Sequence, residues 1–430
     1  MTIQFPKDFL WGTATAAHQV EGNNNHSDWW DWEKIPGKIK HGDVSGIACD
    51  HWGRFDEDLA LMKALGANTY RLSVEWAKIE PKQGVWDEAA IAHYAEVVRK
   101  LLASGIEPMI TLHHFTSPRW WADKGYWAWE GTAAAFGGYA KLVFERIAPN
   151  VRIFTTVNEP LVHLGAGYIM GIMPPEKKGF EHLQAPLLGM LRAHAAAYRA
   201  LHECASAHGK KIEVGMAHHL RIFDPKHTWN PVDQLVSKIM DAAFNTSVPN
   251  ALETGRIRVK VPGLLTIDED IPGLANTQDY FGLNYYSRDL VTLGWKDGSL
   301  QPLPTVKKGA LVNDLGWELY PEGFLRVLRR VAKHYPGKPI YVTENGLADA
   351  VDSRRANFIE SHVSAMETAI GEGVPVKAYC HWSLLDNFEW IEGFEPRFGL
   401  VEIDYATLAR KPRPSFQVYR DLIGRHRNDR

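Results

Sequence analysis

The stretch RIFTTVNEP at residues 152–160 begins apolar and β-branched and ends in Asn158 and Glu159. A short apolar run of this kind is typical of a strand buried in a parallel sheet. Such a strand should not end in a carboxylate without a reason, since burying an unpaired charge is costly. The stretch PIYVTENG at 339–346 has the same form and carries Glu344. These two runs predict buried strands whose polar end residues have a function.

Six more runs of the same kind extend this pattern along the chain. The eight predicted strands lie at 9–16, 68–74, 107–115, 152–160, 211–219, 280–286, 339–346 and 376–384. Segments with the apolar period of helices lie between and after them, at 55–65, 89–103, 134–147, 186–207, 232–243, 322–332, 354–370 and 415–423. Alternating strands and helices imply parallel strands with crossover helices. Eight such units close into a (β/α)8 TIM barrel.

The chain has 430 residues, whereas a typical barrel takes about 250. The excess is expected in long βα loops that form the active-site pocket, with residues 1–430 as a single catalytic domain. An open doubly wound sheet is the alternative, but its usual GxGxxG turn after the first strand is missing. In a barrel, the carboxyl ends of all strands meet at one face. Glu159 and Glu344, on the fourth and seventh predicted strands, would therefore converge.

Composition and charge exclude several kinds of partner. The formal net charge is −3, with Lys and Arg spread along the chain, so neither nucleic acid nor an anionic membrane is expected. No apolar stretch reaches the length of about 18 residues that a membrane span needs, and the N-terminus lacks the apolar run of a signal peptide. Cys49, Cys204 and Cys380 suggest neither a disulfide framework nor a metal site. A cytoplasmic location is expected, and formation of a homo-oligomer stays open.

The chemistry is indicated by paired carboxylates and an abundance of aromatic residues. The chain has 16 Trp, several beside carboxylates, as in DWWDWEK and HWSLLDNFEW. Most of these rings are expected in the core, but a minority can pack on sugar faces. Paired carboxylates serve glycoside hydrolysis, with retention at a separation of about 5–5.5 Å and inversion at about 6.5–9.5 Å. The sequence does not fix that separation.

TVNEP at 156–160 and VTENG at 342–346 resemble the acid/base and nucleophile motifs of glycoside hydrolase family 1, the β-glucosidases and β-galactosidases. The resemblance covers nearly the whole chain, through FLWGTATAAHQVEG, YRLSVEW, HHF, GLNYYS, WSLLDNFEW and RFGLVEID in that order. It implies a retaining exo-β-glycosidase that hydrolyses terminal β-D-glycosyl residues of small β-glycosides or oligosaccharides. β-Glucosides would be the main substrates and β-galactosides or β-fucosides side substrates, with no metal or organic cofactor.

The resemblance also implies a role for each matching residue. Glu344 would be the nucleophile and Glu159 the acid/base. Arg71 would keep Glu344 charged, and Tyr286 would donate to it. The other substrate-binding residues implied are Gln19, His114, Asn158, Trp317, Trp382, Glu389 and Trp390, with Asn284 in support. Taken alone, a His or a Gln at a strand end usually has a structural role. Arg71 and Asn284 could both stabilise the fold and support the functional site.

Departures from the commoner family pattern are Phe115, Leu161 and Glu75, which leave the aglycone preference open. Three other functions fit part of this pattern. A transglycosidase would use the same covalent intermediate, and an apolar leaving-group site, as Leu161 and Trp317 suggest, would favour it. A 6-phospho-β-glucosidase is disfavoured because Glu389 would repel the phosphate. A non-catalytic sugar-binding barrel is disfavoured because both Glu159 and Glu344 are present.

Overall fold

A closed barrel of eight parallel strands forms the centre of the computed structural model, which describes residues 5–296 and 298–428. Numbered β1 to β8 along the chain, the barrel strands are Leu10–Ala14, Thr69–Ser73, Glu107–His113, Ile153–Asn158, Glu213–His219, Phe281–Asn284, Ile340–Gly346 and Val376–Trp382. β1 pairs with both β2 and β8, so the ring has no free edge. Each predicted run contains one of these strands. The TIM barrel prediction is confirmed, and the open doubly wound sheet is wrong.

Helices cover the outside of the barrel. Those of eight or more residues are Phe55–Leu65, Glu88–Ala103, Thr132–Leu142, Gln184–Ala207, Pro231–Asp241, Ser247–Thr254, Pro321–His334, Arg355–Gly371 and Pro414–Asn428. Seven of the predicted helical segments match barrel helices closely. The predicted helix at 232–243 instead packs on a small side sheet. The following helix, Ser247–Thr254, contributes Val248, Ala251 and Leu252 to the main apolar cluster.

The strands separate an inner and an outer apolar layer, because successive side chains point to opposite faces. In β4, Ile153 belongs to a cluster inside the barrel and Phe154 to the layer beneath the helices. The pairing of β4 with β5 shifts register between Thr155 and Asn158. The pairing of β7 with β6 shifts between Val342 and Glu344. Irregularities of this kind change the direction in which side chains point. One shift ends at Asn158 and the other at Glu344, the polar residues that the sequence singled out.

Much of the remaining chain lies in loops at the carboxyl ends of the strands, as predicted. A side sheet pairs Ile222–Pro225 with the hairpin Arg288–Lys296 and Ser299–Thr305. Two further hairpins are Arg256–Val261 with Leu265–Asp270 and Val401–Asp404 with Ala409–Pro412. Within the described ranges, no helix combines the length and apolar character needed to cross a membrane. The single-domain organisation over residues 1–430 stays a prediction.

Candidate active site

Arg71 of β2 lies at the floor of the barrel mouth, and its side chain is completely buried. Its Nη1 donates to Oε1 of Glu344 at 2.5 Å, and its Nη2 donates to Oδ1 of Asn158 at 2.7 Å. Its Nε donates to Oγ1 of Thr111 at 3.1 Å. The guanidinium thus binds groups from β3, β4 and β7. Hydrogen bonds to charged groups are roughly twice as strong as neutral ones, so Arg71 fixes the position of the Glu344 carboxylate.

Glu344 receives a second donor on its other oxygen. The hydroxyl of Tyr286, two residues beyond β6, donates to Oε2 at 2.7 Å. Burial raises the pKa of Tyr286 well above its ordinary value, and the charge on Glu344 adds to the effect. Tyr286 therefore keeps its proton and stays a donor. Both oxygens of Glu344 are held from the barrel interior, as the sequence predicted for Arg71 and Tyr286.

Glu159 follows the last residue of β4 and begins the short helix Pro160–Leu164. Its Oε1 accepts from Nδ2 of Asn284 at 2.8 Å. Nδ1 of His219, the last residue of β5, lies 3.3 Å from the same oxygen. Oδ1 of Asn284 accepts from Thr343, which fixes the orientation of the amide so that its NH2 group faces Glu159.

Asn158 connects the two carboxyl groups. Its Oδ1 accepts from Arg71 at 2.7 Å and from Nδ2 of Asn284 at 3.1 Å. Its Nδ2 pairs with Nε2 of His114 at 3.1 Å. Because Arg71 also binds Glu344 and Asn284 also binds Glu159, one chain of hydrogen bonds joins the carboxylates. Residues that are distant in sequence are brought together, as the predicted barrel closure requires.

Three residues around the pocket have left-handed backbones without being glycine. Their φ angles are 45° at Glu159, 71° at Phe115 and 54° at Trp390. Each such conformation costs on the order of 1–3 kcal/mol and persists only where the surroundings enforce it. At these three positions, the surrounding structure therefore holds the backbone against its local preference.

The wall of the pocket beyond β8 is formed by Glu389 and its partner Gln19. Nε2 of Gln19 donates to Oε2 of Glu389 at 3.2 Å and to Oδ1 of Asn387 at 2.9 Å. Oε1 of Gln19 is buried and has no partner among the described residues. Gln19 thus offers an acceptor while its amide group holds Glu389 in place.

Aromatic rings flank His114 on this side of the pocket. The ring of Trp382 lies 5.9 Å from that of His114 with an angle of 24° between their planes, and the ring of Trp390 lies at 6.1 Å and 18°. Trp390 also stacks on His18 at 5.7 Å. Burial, aided by the charge on Arg71, holds the pKa of His114 well below its ordinary value. His114 is therefore a neutral hydrogen-bonding group.

Trp317 lies on the opposite side and is half-buried. Its ring contacts that of Tyr286 edge-to-face at 5.8 Å. The guanidinium of Arg221 lies 5.8 Å from the centre of the same indole and is paired with Asp289 at 2.8 Å. The predicted leaving-group side therefore carries an ion pair beside its apolar ring, which weakens the sequence argument for a purely apolar acceptor site.

The charges in the pocket influence one another. Burial raises the pKa of Glu344 to about 7; the charge on Glu159 adds to burial, while Arg71 and Tyr286 oppose it. Burial also opposes ionisation of Glu159, but His219, Asn284 and Arg71 outweigh it and hold that pKa below its ordinary value. Interacting groups titrate as a pair, so the charge on each carboxyl group depends on the charge of the other.

Glu389 is the third interacting carboxyl group. Burial and the charges on Glu344 and Glu159 raise its pKa to about 8, although Gln19 and Trp382 oppose them. Below that pH, Glu389 is largely protonated. The repulsion of a 6-phosphate that the sequence predicted would therefore act fully only above about pH 8.

The three departures from the commoner family pattern lie around this site. Phe115 stacks on His163 with ring centres 5.8 Å apart. Glu75 is buried and accepts from Oγ1 of Thr116 at 2.7 Å, so it supports the loop that follows β3. Leu161 is half-buried and lines a small cavity behind Glu159.

His219 is the site residue that the sequence reasoning missed. The run KIEVGMAHH ends in His218 and His219, which are polar residues at a strand end like Asn158 and Glu159. Glu159 was selected because it is a polar residue at the end of an apolar strand, and the same criterion applies to His218 and His219. The choice between the two histidines needs the strand register, since His218 turns away and pairs with Oε1 of Gln278 at 2.8 Å.

We predict that Arg71→Met destabilises the fold by at least about 3 kcal/mol at pH 8, because Glu344 is left buried without its cation. The loss should be smaller at pH 5. Without Arg71, the pKa of Glu344 lies further above its unfolded value of about 4.3. The folded state then binds more protons than the unfolded state, so stability falls as pH rises through this window. Denaturant unfolding at both pH values measures the effect.

The double variant Arg71→Met/Glu344→Gln is the control for that prediction. It removes the carboxylate as well as the guanidinium, so it should recover part of the stability at pH 8 and little at pH 5. Equal losses in the single variant at both pH values would contradict the electrostatic explanation and leave only the lost packing and hydrogen bonds of Arg71.

A closed (β/α)8 barrel whose carboxyl face holds interacting buried carboxyl groups among aromatic rings defines a class of enzyme, the barrel glycoside hydrolases. The chain belongs to glycosyl hydrolase family 1, whose family model matches residues 1–428. This membership agrees with the resemblance noted in the sequence.

Relatives and solved structures match over nearly the full chain. Beta-glucosidase A of Thermotoga maritima is 31% identical over 448 residues, which cover 98% of both chains. A bifunctional beta-D-glucosidase/beta-D-fucosidase of Bifidobacterium breve is 32% identical over 480 residues, with 99% of both chains covered. The structure of a beta-glycosidase from Pyrococcus horikoshii has a TM-score of 0.89 and 36% identity, covering 98% of this chain and 95% of that one.

Proposed function

We propose that this chain is a retaining exo-β-glycosidase that acts mainly on β-glucosides, with Glu344 as nucleophile and Glu159 as acid/base. The observation that carries the proposal is the unequal support of the two carboxyl groups. Glu344 contacts a permanently charged guanidinium at 2.5 Å. The donors on Glu159 are an amide and an imidazole, and only the imidazole can gain or lose charge.

In the first step, Glu159 gives its proton to the glycosidic oxygen. The bond from the anomeric carbon to that oxygen breaks, and its electron pair leaves with the alcohol. A carboxylate oxygen of Glu344 forms a new bond to the anomeric carbon, giving a covalent glycosyl-enzyme. This step requires the proton on Glu159 and a negative charge on Glu344. Arg71 favours that distribution because its charge stabilises the carboxylate form of Glu344 in every state.

In the second step, water attacks the anomeric carbon and Glu159 removes its proton. The ester bond breaks and its electron pair returns to Glu344. Esterification of Glu344 removes the charge that competes for the proton, so Glu159 is more easily ionised in the intermediate and suited to act as base. Both steps are carried by side chains, and no metal or organic cofactor takes part in the proposed reaction.

The sugar would be bound by the polar and aromatic groups that surround the pair. The neutral His114 accepts from Asn158 through Nε2, so its buried Nδ1, which has no partner among the described residues, can donate to a hydroxyl. Oε1 of Gln19 can accept from another hydroxyl. Trp382 would lie under the ring, with Glu389 and Trp390 beside it and Asn158 at the 2-hydroxyl. Trp317 would flank the leaving group.

The choice of β-glucosides is supported by the relatives, one of which is named as a β-glucosidase and another as a β-glucosidase and β-fucosidase. β-Galactosides and β-fucosides are proposed as side substrates, and small β-glycosides or oligosaccharides as the natural class. The cytoplasm is the proposed location, supported by three buried cysteines that form no disulfide. Formation of a homo-oligomer stays a prediction.

The proposal predicts that a 2-deoxy-2-fluoro-β-glucoside with an activated leaving group inactivates the enzyme and labels Glu344. The fluorine destabilises the positively charged transition states of both steps, and the good leaving group restores only the first, so the ester accumulates. Peptide mapping by mass spectrometry locates the label. A label on any residue other than Glu344 would contradict the nucleophile, and no label would contradict the covalent mechanism.

A further inference from the structure

His219 is held tightly beside the acid/base. Its side chain is 9% exposed, and its Nδ1 lies 3.3 Å from Oε1 of Glu159. The rings of Tyr286 and Phe244 lie 5.7 and 5.9 Å from the imidazole. Nε2 of His219 is buried and has no partner among the described residues. The imidazole can therefore approach Glu159 in one orientation, with Nδ1 toward the carboxyl group and Nε2 away from it.

The donors of Glu159 converge on one of its oxygens. Nδ2 of Asn284 donates to Oε1 at 2.8 Å, and Nδ1 of His219 faces the same atom. In the part of the chain that the structure describes, no donor reaches Oε2. A carboxyl proton avoids an oxygen that already accepts two N–H groups, so it is carried by Oε2. The oxygen free to protonate a leaving group is thereby fixed.

We propose that His219 is a positioning residue for Glu159, which orients the carboxyl group so that Oε2 carries the proton given to the leaving group. This inference rests on the proposed function. Asn284 and His219 both face Oε1, so rotation of the carboxyl group would cost both contacts. Oε2 is therefore kept available for the leaving group.

The charged and titratable groups that face Glu159 from the other strands and loops are Arg71, Tyr286, Glu344 and Glu389. Tyr286 faces His219 as well. Arg71 contacts Glu344 directly, whereas His219 contacts Glu159 directly. The pKa of Glu159 is held below its ordinary value because His219, Asn284 and Arg71 outweigh burial, and His219 has the largest of these three influences.

The test is the pH profile of kcat/KM for His219→Phe and His219→Asn, measured with glucosides of good and poor leaving groups. Phenylalanine keeps a ring but removes the donor and the charge. Glu159 should then stay protonated to higher pH, so the alkaline limb moves upward. With a poor leaving group, kcat/KM should still fall by about tenfold, because Glu159 keeps its proton but Oε2 is no longer held in place to deliver it. With 2,4-dinitrophenyl β-glucoside, which needs little acid assistance, it should change by no more than about twofold.

His219→Asn separates the positioning of Glu159 from the effect on its pKa, because asparagine keeps an N–H donor but not the imidazole. It should restore most of the activity on poor leaving groups while its alkaline limb stays shifted. His218→Phe is the matched control, since that neighbouring buried histidine pairs with Gln278. Its profile should keep the wild-type limbs. A His219→Phe profile identical to wild type, or a uniform loss across pH and leaving groups, would overturn the inference.

The outcome for His219 can be told apart from the outcome for the proposed function. If Glu159→Ala and Glu344→Ala keep the activity on β-glucosides, the proposed function itself fails. If both variants lose activity but His219→Phe keeps the wild-type pH profile and leaving-group dependence, the function stands and only the role of His219 is rejected.

Discussion

Replacement of Glu344 by alanine is expected to lower kcat on a nitrophenyl β-glucoside by at least about 10⁴-fold, because the covalent intermediate can no longer form. KM should change much less. The melting temperature should fall, because Arg71 is left buried without its carboxylate partner. Steady-state kinetics on the folded variant, with its circular dichroism spectrum compared with that of the wild type, measure the effect.

An added small nucleophile provides the control for Glu344→Ala. Azide can enter the space vacated by the carboxyl group and attack the anomeric carbon from the same face. It should raise the rate and give the α-glycosyl azide, the product of one inversion. Formation of the β-glycosyl azide would show that another group still forms the covalent intermediate, and Glu344 would not be the nucleophile.

Replacement of Glu159 by alanine is the second large effect, and it should depend on the leaving group. For a poor leaving group, kcat/KM should fall by about 10²–10⁴-fold, the usual contribution of general acid catalysis. For 2,4-dinitrophenyl β-glucoside, the first step needs little protonation, so kcat/KM should be almost unchanged. The second step should become limiting because no base activates water, and a burst of dinitrophenol should precede the steady state.

Azide distinguishes this variant from the previous one. In Glu159→Ala it attacks the covalent intermediate from the opposite face and should give the β-glycosyl azide by two inversions. Product stereochemistry, read by proton NMR, therefore assigns the two carboxyl groups independently of rate. If both variants gave the same anomer, the division of roles between Glu159 and Glu344 would be wrong.

The transglycosidase alternative uses the same chemistry and is tested by its products. Trp317 offers an apolar surface for an acceptor alcohol, but Arg221 and Asp289 pair beside it and keep that side of the pocket partly polar. We expect free glucose to be the main product with aryl glucosides, even when a short-chain alcohol is added. A dominant alkyl glucoside product would instead favour transfer.

The barrel could be predicted from the sequence because its strands are short, continuous apolar runs bounded by helices. Each of the eight runs contains a barrel strand. The exception in the outer layer is the segment 232–243, whose apolar period predicted a barrel helix. The structure places Pro231–Asp241 on a side sheet that exists only because strands from two separate loops pair. Pairing between distant loops leaves no periodic signal in either one.

The positions of the paired carboxyl groups could also be predicted, because barrel closure brings the carboxyl ends of all strands to one face. Arg71, Tyr286, Asn158 and Asn284 were predicted beside them and lie there. The role of His219, as distinct from that of His218, could not be predicted. Adjacent residues of a strand face opposite sides, so the register that turns His218 toward Gln278 and His219 toward Glu159 had to be known first.

Hydrophobic pattern and barrel closure were enough to predict the eight strands and the convergence of Glu159 and Glu344, and the family resemblance supplied the groups proposed to bind a sugar. The distribution of charge among those groups could be described only once the strands were placed in three dimensions. Burial from several elements raises the pKa of Glu344 to about 7 and that of Glu389 to about 8. His219 and Asn284 act in the opposite sense on Glu159. Desolvation and charge interactions depend on distances of a few ångströms between separate strands, and linear sequence does not contain those distances.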